Sequence, residues 1–173
     1  EIDNGDKGAP LLNIYGGKIT TYRKLAESAM SKLSPYLGIA DDRWTDSVAL
    51  PGGDMLNGDF ESYLAAMQKK FPWIPAAQLY RYVRNYGTLT HTIIGDASDL
   101  SGLGTHLGDD IYECELRYLA DQEWARTADD VLWRRSKLGL HLSKDAQTAI
   151  AQWFATETKS NNAVKTGEGT NVK

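Results

Sequence analysis

The sequence predicts a mainly α-helical chain in which a short strand-turn-helix segment precedes an all-α domain. Apolar residues recur every three or four positions over most of residues 60–154, which is the spacing of one helix face. Only residues 10–15 show a convincing strand pattern. We therefore assign the strand-turn-helix segment to residues 1–38 and the all-α domain to residues 39–158. The remainder, residues 159–173, carries almost no large apolar side chain and is predicted to be a disordered tail.

The predicted strand at residues 10–15 has a candidate pairing partner near the beginning of the chain. Residues 1–3 look extended, and Asn4-Gly5 is a turn signal between the two stretches. A strand with unpaired edges should pair with residues 1–3, dock on the helices or associate with another copy. Because a hairpin that starts at residue one lacks the rest of its sheet, we expect this chain to be a piece of a longer protein.

Helical stretches follow in order, each with a recognisable start or stop signal. The first begins near Tyr22 and is expected to stop at Pro35, and residues 37–58 form a connector. The others are predicted at residues 60–71 with Asn57 or Asp59 as N-cap, 75–86 ending at Gly87, 88–94, 111–124, a stretch capped by Thr127, and a last helix capped by Ser143. Residues 95–109 are glycine-rich and are predicted to be a loop.

Composition excludes several classes of function. The net charge of −4 gives no basic surface for a nucleic acid. No apolar run approaches the roughly 20 residues that a transmembrane helix needs. The single cysteine, Cys114, cannot form an internal disulfide, and His91, His106 and His141 lack the spacing of metal ligands. We predict no metal site.

Two glycine-rich stretches come close to phosphate-binding motifs but do not match them. Gly17-Lys18 lacks both the earlier glycine and the Ser or Thr that follows the lysine of a nucleotide-triphosphate loop. The stretch at 102–108 has its third glycine one position too late for a dinucleotide fingerprint, and no strand precedes it. Neither stretch predicts a nucleotide site of these kinds.

Charged pairs in the helical region have simple structural interpretations. Asp129 and Asp130 suit the start of a helix, and the arginine pair at 134–135 suits its end. The arginines are also able to grip an anion, but a helix end beside acidic side chains is the simpler account. Glu113 and Glu115 point to different helix faces and do not form an acid–base pair.

The most distinctive stretch is Gly16 to Thr21, where two interpretations stay open. Two glycines between a strand and a helix make a tight turn. They also allow a flat ligand to approach the backbone, where the first amides of the helix favour negative charge. Lys18 adds a positive charge at the same place. The residues alone indicate a site for an anion and do not name the ligand.

Four segments, in this order, resemble the FAD-dependent glycerol-3-phosphate dehydrogenases. They are LLNIYGGKITTYRKLAE at 11–27, LPGGD at 50–54, RYVRNYG at 81–87 and YECELRYLADQEWARTADDVLWRRSKLGL at 112–140. The resemblance covers nearly the whole chain to about residue 155. It implies that residues 1–38 are the last strand-turn-helix of a flavin domain and that the rest is a helical C-terminal domain.

The resemblance also implies a cofactor and its contacts. Gly16, Gly17, Lys18, Ile19, Thr20 and Thr21 would bind FAD at its isoalloxazine ring. Lys18 would serve either the flavin edge or the phosphate of the substrate. Arg23 matches an arginine of the family pattern and is expected to hold the turn in place. No catalytic residue is expected within this chain, because the remaining substrate residues would lie upstream.

The implied longer protein oxidises sn-glycerol 3-phosphate to dihydroxyacetone phosphate and passes electrons through FAD to ubiquinone. Its expected place is the cytoplasm, peripheral on the inner membrane. By itself the 173-residue chain is expected to be inactive and to lack FAD. Two alternatives remain open: the C-terminal part of an oxygen-using glycerol-3-phosphate oxidase, and a helical module for homodimerisation.

Overall fold

The computed structural model describes residues 2–3, 8–40 and 44–167, with residues 3 and 158–167 described by their backbone alone. The chain divides into two compact units, Glu1–Leu50 and Pro51–Lys173, called unit 1 and unit 2 below. Helices make up most of the regular structure of the described residues, so the mainly α prediction is confirmed. The predicted domain limits at residues 38 and 158 remain a prediction.

Unit 1 begins with the small hairpin that the sequence suggested. Strands β1 (Ile2–Asp3) and β2 (Leu11–Leu12) pair antiparallel, with Ile2 opposite Leu12 and Asp3 opposite Leu11. The expected pairing of residues 10–15 with the beginning of the chain is therefore confirmed, although the strand is shorter than predicted. The turn signal at Asn4-Gly5 lies outside the described residues.

Helix α1 (Tyr22–Leu37) follows a 3-10 turn at Ile19–Thr21 and continues past its proline. The prediction that Pro35 stops the helix is wrong. Proline removes the N–H that would bond the carbonyl of Ser31, and the Ser34 hydroxyl donates to that carbonyl instead, at 3.1 Å. Gly38 ends the helix in the left-handed conformation (φ 65°), and its N–H donates to the Ser34 carbonyl.

Unit 2 opens with three helices whose ends match the sequence signals. They are α2 (Phe60–Lys70), α3 (Ala76–Tyr86) and α4 (Thr90–Ile94), with 3-10 turns at Leu56–Gly58 and Gly87–Leu89. The Asp59 carboxylate accepts a hydrogen bond from the Ser62 amide at 3.0 Å, so Asp59 is the N-cap. Gly87 ends α3 as predicted.

The prediction of a loop over residues 95–109 is wrong in part. The chain forms a 3-10 turn at Leu100–Leu103 and then strand β3 (His106–Gly108), which pairs antiparallel with β4 (Ile111–Tyr112). Consequently α5 (Glu113–Gln122) begins two residues later than the predicted start at 111. The hairpin turns through Asp109, whose φ of 48° is unusual for a residue with a side chain.

Glu113, the first residue of α5, ties the helix to the preceding turn and gives stability a pH dependence. Its carboxylate accepts hydrogen bonds from the Thr105 hydroxyl (2.8 Å), the Thr105 amide (3.1 Å) and Arg117 (2.5 Å). These donors, Thr105 first, lower the pKa of Glu113 to about 2. The charged form therefore stabilises the fold fully above the ordinary glutamate pKa, and this contribution is lost as the pH falls towards 2.

We expect the difference in unfolding free energy between the unchanged protein and Glu113→Gln to be larger at neutral pH than in acid. Urea titrations of both proteins at a series of pH values measure it. A difference that stays constant across the acid range would contradict the assigned pKa. Asp121→Asn, an exposed acid on the same helix, is the control.

The last part of unit 2 has an irregular connection followed by a long helix. Residues Asp130–Arg135 form a π-helical turn, Leu138–Leu140 a 3-10 turn, and Lys144–Gly167 helix α6. The Ser143 hydroxyl accepts from the Ala146 amide at 3.2 Å, which confirms the predicted cap. Helix α6 extends over part of the predicted tail; residues 168–173 lie outside the described ones, and the tail assignment stays a prediction.

The hydrophobic core lies in unit 2 and includes side chains from all four of its described longer helices. Burial of these apolar side chains is the main source of stability. The largest of those that are almost completely buried are Tyr82, Met67, Leu79, Leu103, Ile111, Leu116, Leu119 and Ile150.

Candidate functional site

The Gly16–Thr21 corner lies between β2 and α1 in unit 1. Glycine is required at its positions 16 and 17 for two different structural reasons. Gly16 has φ 83°, a conformation that favours glycine, and a Cβ there would meet nothing within 4 Å. A Cβ on Gly17 would lie 2.7 Å from the Leu25 side chain. Gly16 thus provides the turn and leaves open space, while Gly17 allows the helix to pack closely against it.

The beginning of the helix has backbone donors and no acidic side chain near them. Lys18 is extended (φ −99°, ψ 139°), and its carbonyl accepts from the amide and the hydroxyl of Thr21 at 2.9 and 3.2 Å. No side chain caps the Ile19–Thr21 turn or α1, and no acidic residue lies in the first turn of either. Such a helix start favours an anionic group, and Lys18 adds a cation to it.

All six residues of the predicted site are exposed to solvent. A cleft of about 280 Å³ next to the corner includes only Gly16 among them. Its other lining residues are Leu12, Asn13, Ile14, Tyr15, Leu25, Ser28, Ala29 and Lys32. Leu25 and Lys32 are not among the residues predicted for the site. The signal was present, because positions 25, 28, 29 and 32 lie on one face of α1.

Arg23 follows the corner and makes contacts within unit 1. Its guanidinium lies 3.6 Å from the Asp46 carboxylate and 4.0 Å from that of Glu27, which also accepts from the Thr45 hydroxyl at 2.7 Å. Exposed pairs of this kind contribute little stability. These contacts are with Glu27 and Asp46 and not with residues 16–21, so the role of Arg23 in holding the turn stays a prediction.

Unit 2 contains a buried charged cluster that joins the segments at 81–87 and 112–140, a contact that their spacing in the sequence did not indicate. Arg81 donates to both oxygens of Glu115 at 2.7 and 2.9 Å, to the Asp110 carboxylate at 2.6 Å and to the Asp110 carbonyl at 3.0 Å. Tyr86 donates its hydroxyl to Glu115 at 2.6 Å. The Glu115 side chain is 0% exposed and that of Arg81 17%. We call these four residues the Arg81 cluster.

Burial of this cluster changes the acid–base properties of its neighbours. Burial first, and then the Glu115 carboxylate, raises the pKa of Tyr86 well above its ordinary value. The same two causes raise the pKa of Tyr82, and burial raises the pKa of Cys114 to about 11. Tyr82 and Cys114 are therefore neutral near pH 7. The hydrogen bonds of Arg81 and Tyr86 to Glu115 link α3 to α5, which gives the cluster a structural role.

The described residues form neither a cluster of metal ligands nor a helix that could span a membrane. Within residues 2–3, 8–40 and 44–167, no three His, Cys, Asp or Glu side chains lie close enough together to hold a metal ion. In the same part of the chain, none of the helices combines the length and the apolar character that crossing a bilayer requires.

Comparison with known proteins gives a consistent family. Residues 43–165 match the family described as the C-terminal domain of alpha-glycerophosphate oxidase. The chain is 44% identical over 147 residues to D-erythritol 1-phosphate dehydrogenase of Brucella abortus, covering 85% of this chain and 29% of that protein. It is 42% identical over 159 residues to aerobic glycerol-3-phosphate dehydrogenase of Escherichia coli, covering 92% and 32%.

A third relative, glycerol-3-phosphate dehydrogenase of Pseudomonas aeruginosa, is 39% identical over 156 residues, which are 90% of this chain and 30% of that protein. The chain thus spans 29 to 32% of the length of these curated relatives. The resemblance inferred from the motifs at 11–27 and 112–140 is confirmed. The chain belongs to the family of the C-terminal domain of alpha-glycerophosphate oxidase.

Proposed function

We propose that this chain is the C-terminal part of an FAD-dependent dehydrogenase that oxidises sn-glycerol 3-phosphate to dihydroxyacetone phosphate. The observation that carries the proposal is the Gly16–Thr21 corner, where an uncapped helix start follows an open glycine and Lys18. Family membership and the 42% identity to the E. coli enzyme support it. The proposed path for electrons beyond FAD is ubiquinone, at the cytoplasmic face of the inner membrane.

The residues at the corner fit one edge of a flavin. The absence of a Cβ at Gly16 leaves room for a flat ring beside the backbone, and the amides of Ile19 and Thr20 are donors at the helix start. Bound FAD supplies the hydride acceptor. Gly16, Gly17, Ile19, Thr20 and Thr21 would hold the flavin, and the backbone donors at the helix start would favour negative charge on it.

Lys18 has two candidate roles that kinetics can separate. If its ammonium binds the substrate phosphate, Lys18→Met should raise KM and lower kcat/KM by about tenfold or more, because charged hydrogen bonds are strong. Flavin content and the flavin spectrum should then be unchanged. If Lys18 instead faces the flavin edge, the substitution should shift the flavin reduction potential while KM changes little.

The assay requires the longer protein that this proposal implies, since the chain spans 29 to 32% of the length of its curated relatives. Lys18→Arg keeps the charge and is the conservative control, and Lys24→Met removes a nearby exposed lysine on α1. Wild-type kinetics and flavin spectrum in Lys18→Met would contradict both roles. Absence of flavin from the longer protein would contradict the proposed function itself.

A second candidate substrate is D-erythritol 1-phosphate, because a relative with that name is 44% identical to this chain. Comparing kcat/KM for the two phosphates with the same preparation decides between them. The family description also names an oxidase, so oxygen is the alternative acceptor. Stoichiometric peroxide release would favour oxygen, and quinone reduction without peroxide would favour ubiquinone.

Homodimerisation through the helical unit stays a prediction that light scattering can test.

A further inference from the structure

Unit 2 has a cleft of about 420 Å³ that shares no residue with the Gly16–Thr21 corner. It lies where the C-terminal half of α3 meets residues 135–141. The residues that line it are Arg81, Asn85, Tyr86, Glu123, Arg135, Ser136, Lys137, Leu138 and His141. Three of them carry a permanent positive charge, and Glu123 is the one carboxylate among them.

The adjacent arginines at 134 and 135 have different environments. Arg134 donates to the Asp130 carboxylate at 2.7 Å, the helix-end pairing that the sequence suggested. Arg135 lines the cleft, and no described carboxylate lies within 4.0 Å of its guanidinium. The charge of Arg81 is already balanced by Glu115 and Asp110. Arg135 is therefore a cation of the cleft without a compensating partner among the described residues.

Lys137 places a second such cation on the same wall. Its ammonium donates to the Trp133 carbonyl, which uses one of its three donors and neutralises no charge. The segment that carries it is fixed by hydrogen bonds from Leu140 to the Lys137 carbonyl (3.0 Å) and from the Leu138 amide to the Ser136 hydroxyl (3.2 Å). These bonds fix the backbone of residues 136–140, from which the Lys137 side chain extends.

We propose that this cleft binds a small phosphate monoester, with Arg135 and Lys137 holding the phosphate. Arginine offers a planar pair of donors that matches phosphate oxygens, and lysine adds a point charge. The Asn85 amide and the His141 ring provide polar contacts for the organic part. A cavity of a few hundred Å³ is the usual size for a small-molecule site. The proposal uses unit 2 alone and does not rest on the proposed enzymatic activity.

Amide chemical shifts of the 173-residue chain, measured by two-dimensional NMR at constant ionic strength, test it. Titration with inorganic phosphate should give saturable shifts at residues 135–138 and at Asn85. Glycerol 3-phosphate should do the same at lower concentration if the organic part contributes, and at equal concentration if the phosphate supplies all of the binding. Uncharged glycerol should have no effect. Shifts that do not saturate, or that potassium chloride reproduces, would overturn the proposal.

Single substitutions show whether the named cations are responsible. Arg135→Ala and Lys137→Ala should each weaken phosphate binding by about tenfold. Arg134→Ala removes the same charge one residue away, from a guanidinium that pairs with Asp130, and should leave binding within about twofold. Equal weakening by all three would mean a diffuse effect of net charge and would overturn the site. Thermal unfolding confirms that each variant remains folded.

Discussion

Replacing Glu115 by alanine is expected to lower the free energy of unfolding by about 3–5 kcal/mol, because it removes one partner from a buried ion pair. Arg81 would keep only Asp110, and the Tyr86 hydroxyl would lose its acceptor. Both groups are held at hydrogen-bond distance by Glu115, whose side chain is completely buried. Urea denaturation followed by circular dichroism measures the change.

Two further variants separate the charge from the space that Glu115 fills. Glu115→Gln keeps the shape and an acceptor for Tyr86, so its loss should be smaller than that of Glu115→Ala. Asp121→Ala removes an exposed acid from the same helix and should change stability by no more than about 0.5 kcal/mol. If Glu115→Ala cost no more than Asp121→Ala, Arg81 would have to find another partner or water, and the cluster would not be the link between α3 and α5.

Replacing Gly87 by alanine is expected to cost about 3–5 kcal/mol, the sum of backbone strain and overpacking. Gly87 has φ 56° and ψ −129°, a conformation that residues with a side chain avoid. An added Cβ would also collide with the Gly52 carbonyl oxygen and lie 2.8 Å from its carbonyl carbon. That oxygen cannot move freely, because it accepts from the Thr88 amide at 3.0 Å.

Gly95 provides a closely matched control for this substitution. It ends α4 with φ 57° and ψ −135°, almost the same backbone as Gly87, but a Cβ there would meet nothing within 4 Å. Gly95→Ala should therefore show the strain alone, about 1–3 kcal/mol. Equal losses at the two positions would mean that the contact with Gly52 contributes nothing. Denaturant midpoints of both variants give the comparison.

Local signals in the sequence predicted several features correctly. Asp59, Ser143 and Gly87 mark helix ends because capping depends on residues three or four positions away. The signal at Pro35 failed for a reason that is also local: a serine hydroxyl takes over a carbonyl that the proline leaves unbonded. The hairpin at 106–112 was not predicted, because its strands of two or three residues are too short to show an alternation of apolar and polar side chains.

The same distinction applies to the sites: one is formed by neighbouring residues in the sequence, and the others by residues far apart in it. The Gly16–Thr21 corner is contiguous, so its turn and its uncapped helix start could be predicted from the residues. The Arg81 cluster joins residues 29 and 34 positions apart, and sequence spacing gives no indication that they meet. The cleft beside Arg135 depends on which of two neighbouring arginines finds an acidic partner, and only the packed structure decides that.

The close contact between the backbones of Gly52 and Gly87 determines where unit 2 can be shortened. Gly52 is the second residue of the unit, yet its carbonyl is an acceptor for the segment between α3 and α4. Removing residues 51–59 as an apparently irregular leader would take away that acceptor along with the Asp59 cap of α2. The first residues of unit 2 are thus part of its folded body, and a version of it for separate expression should begin no later than Pro51.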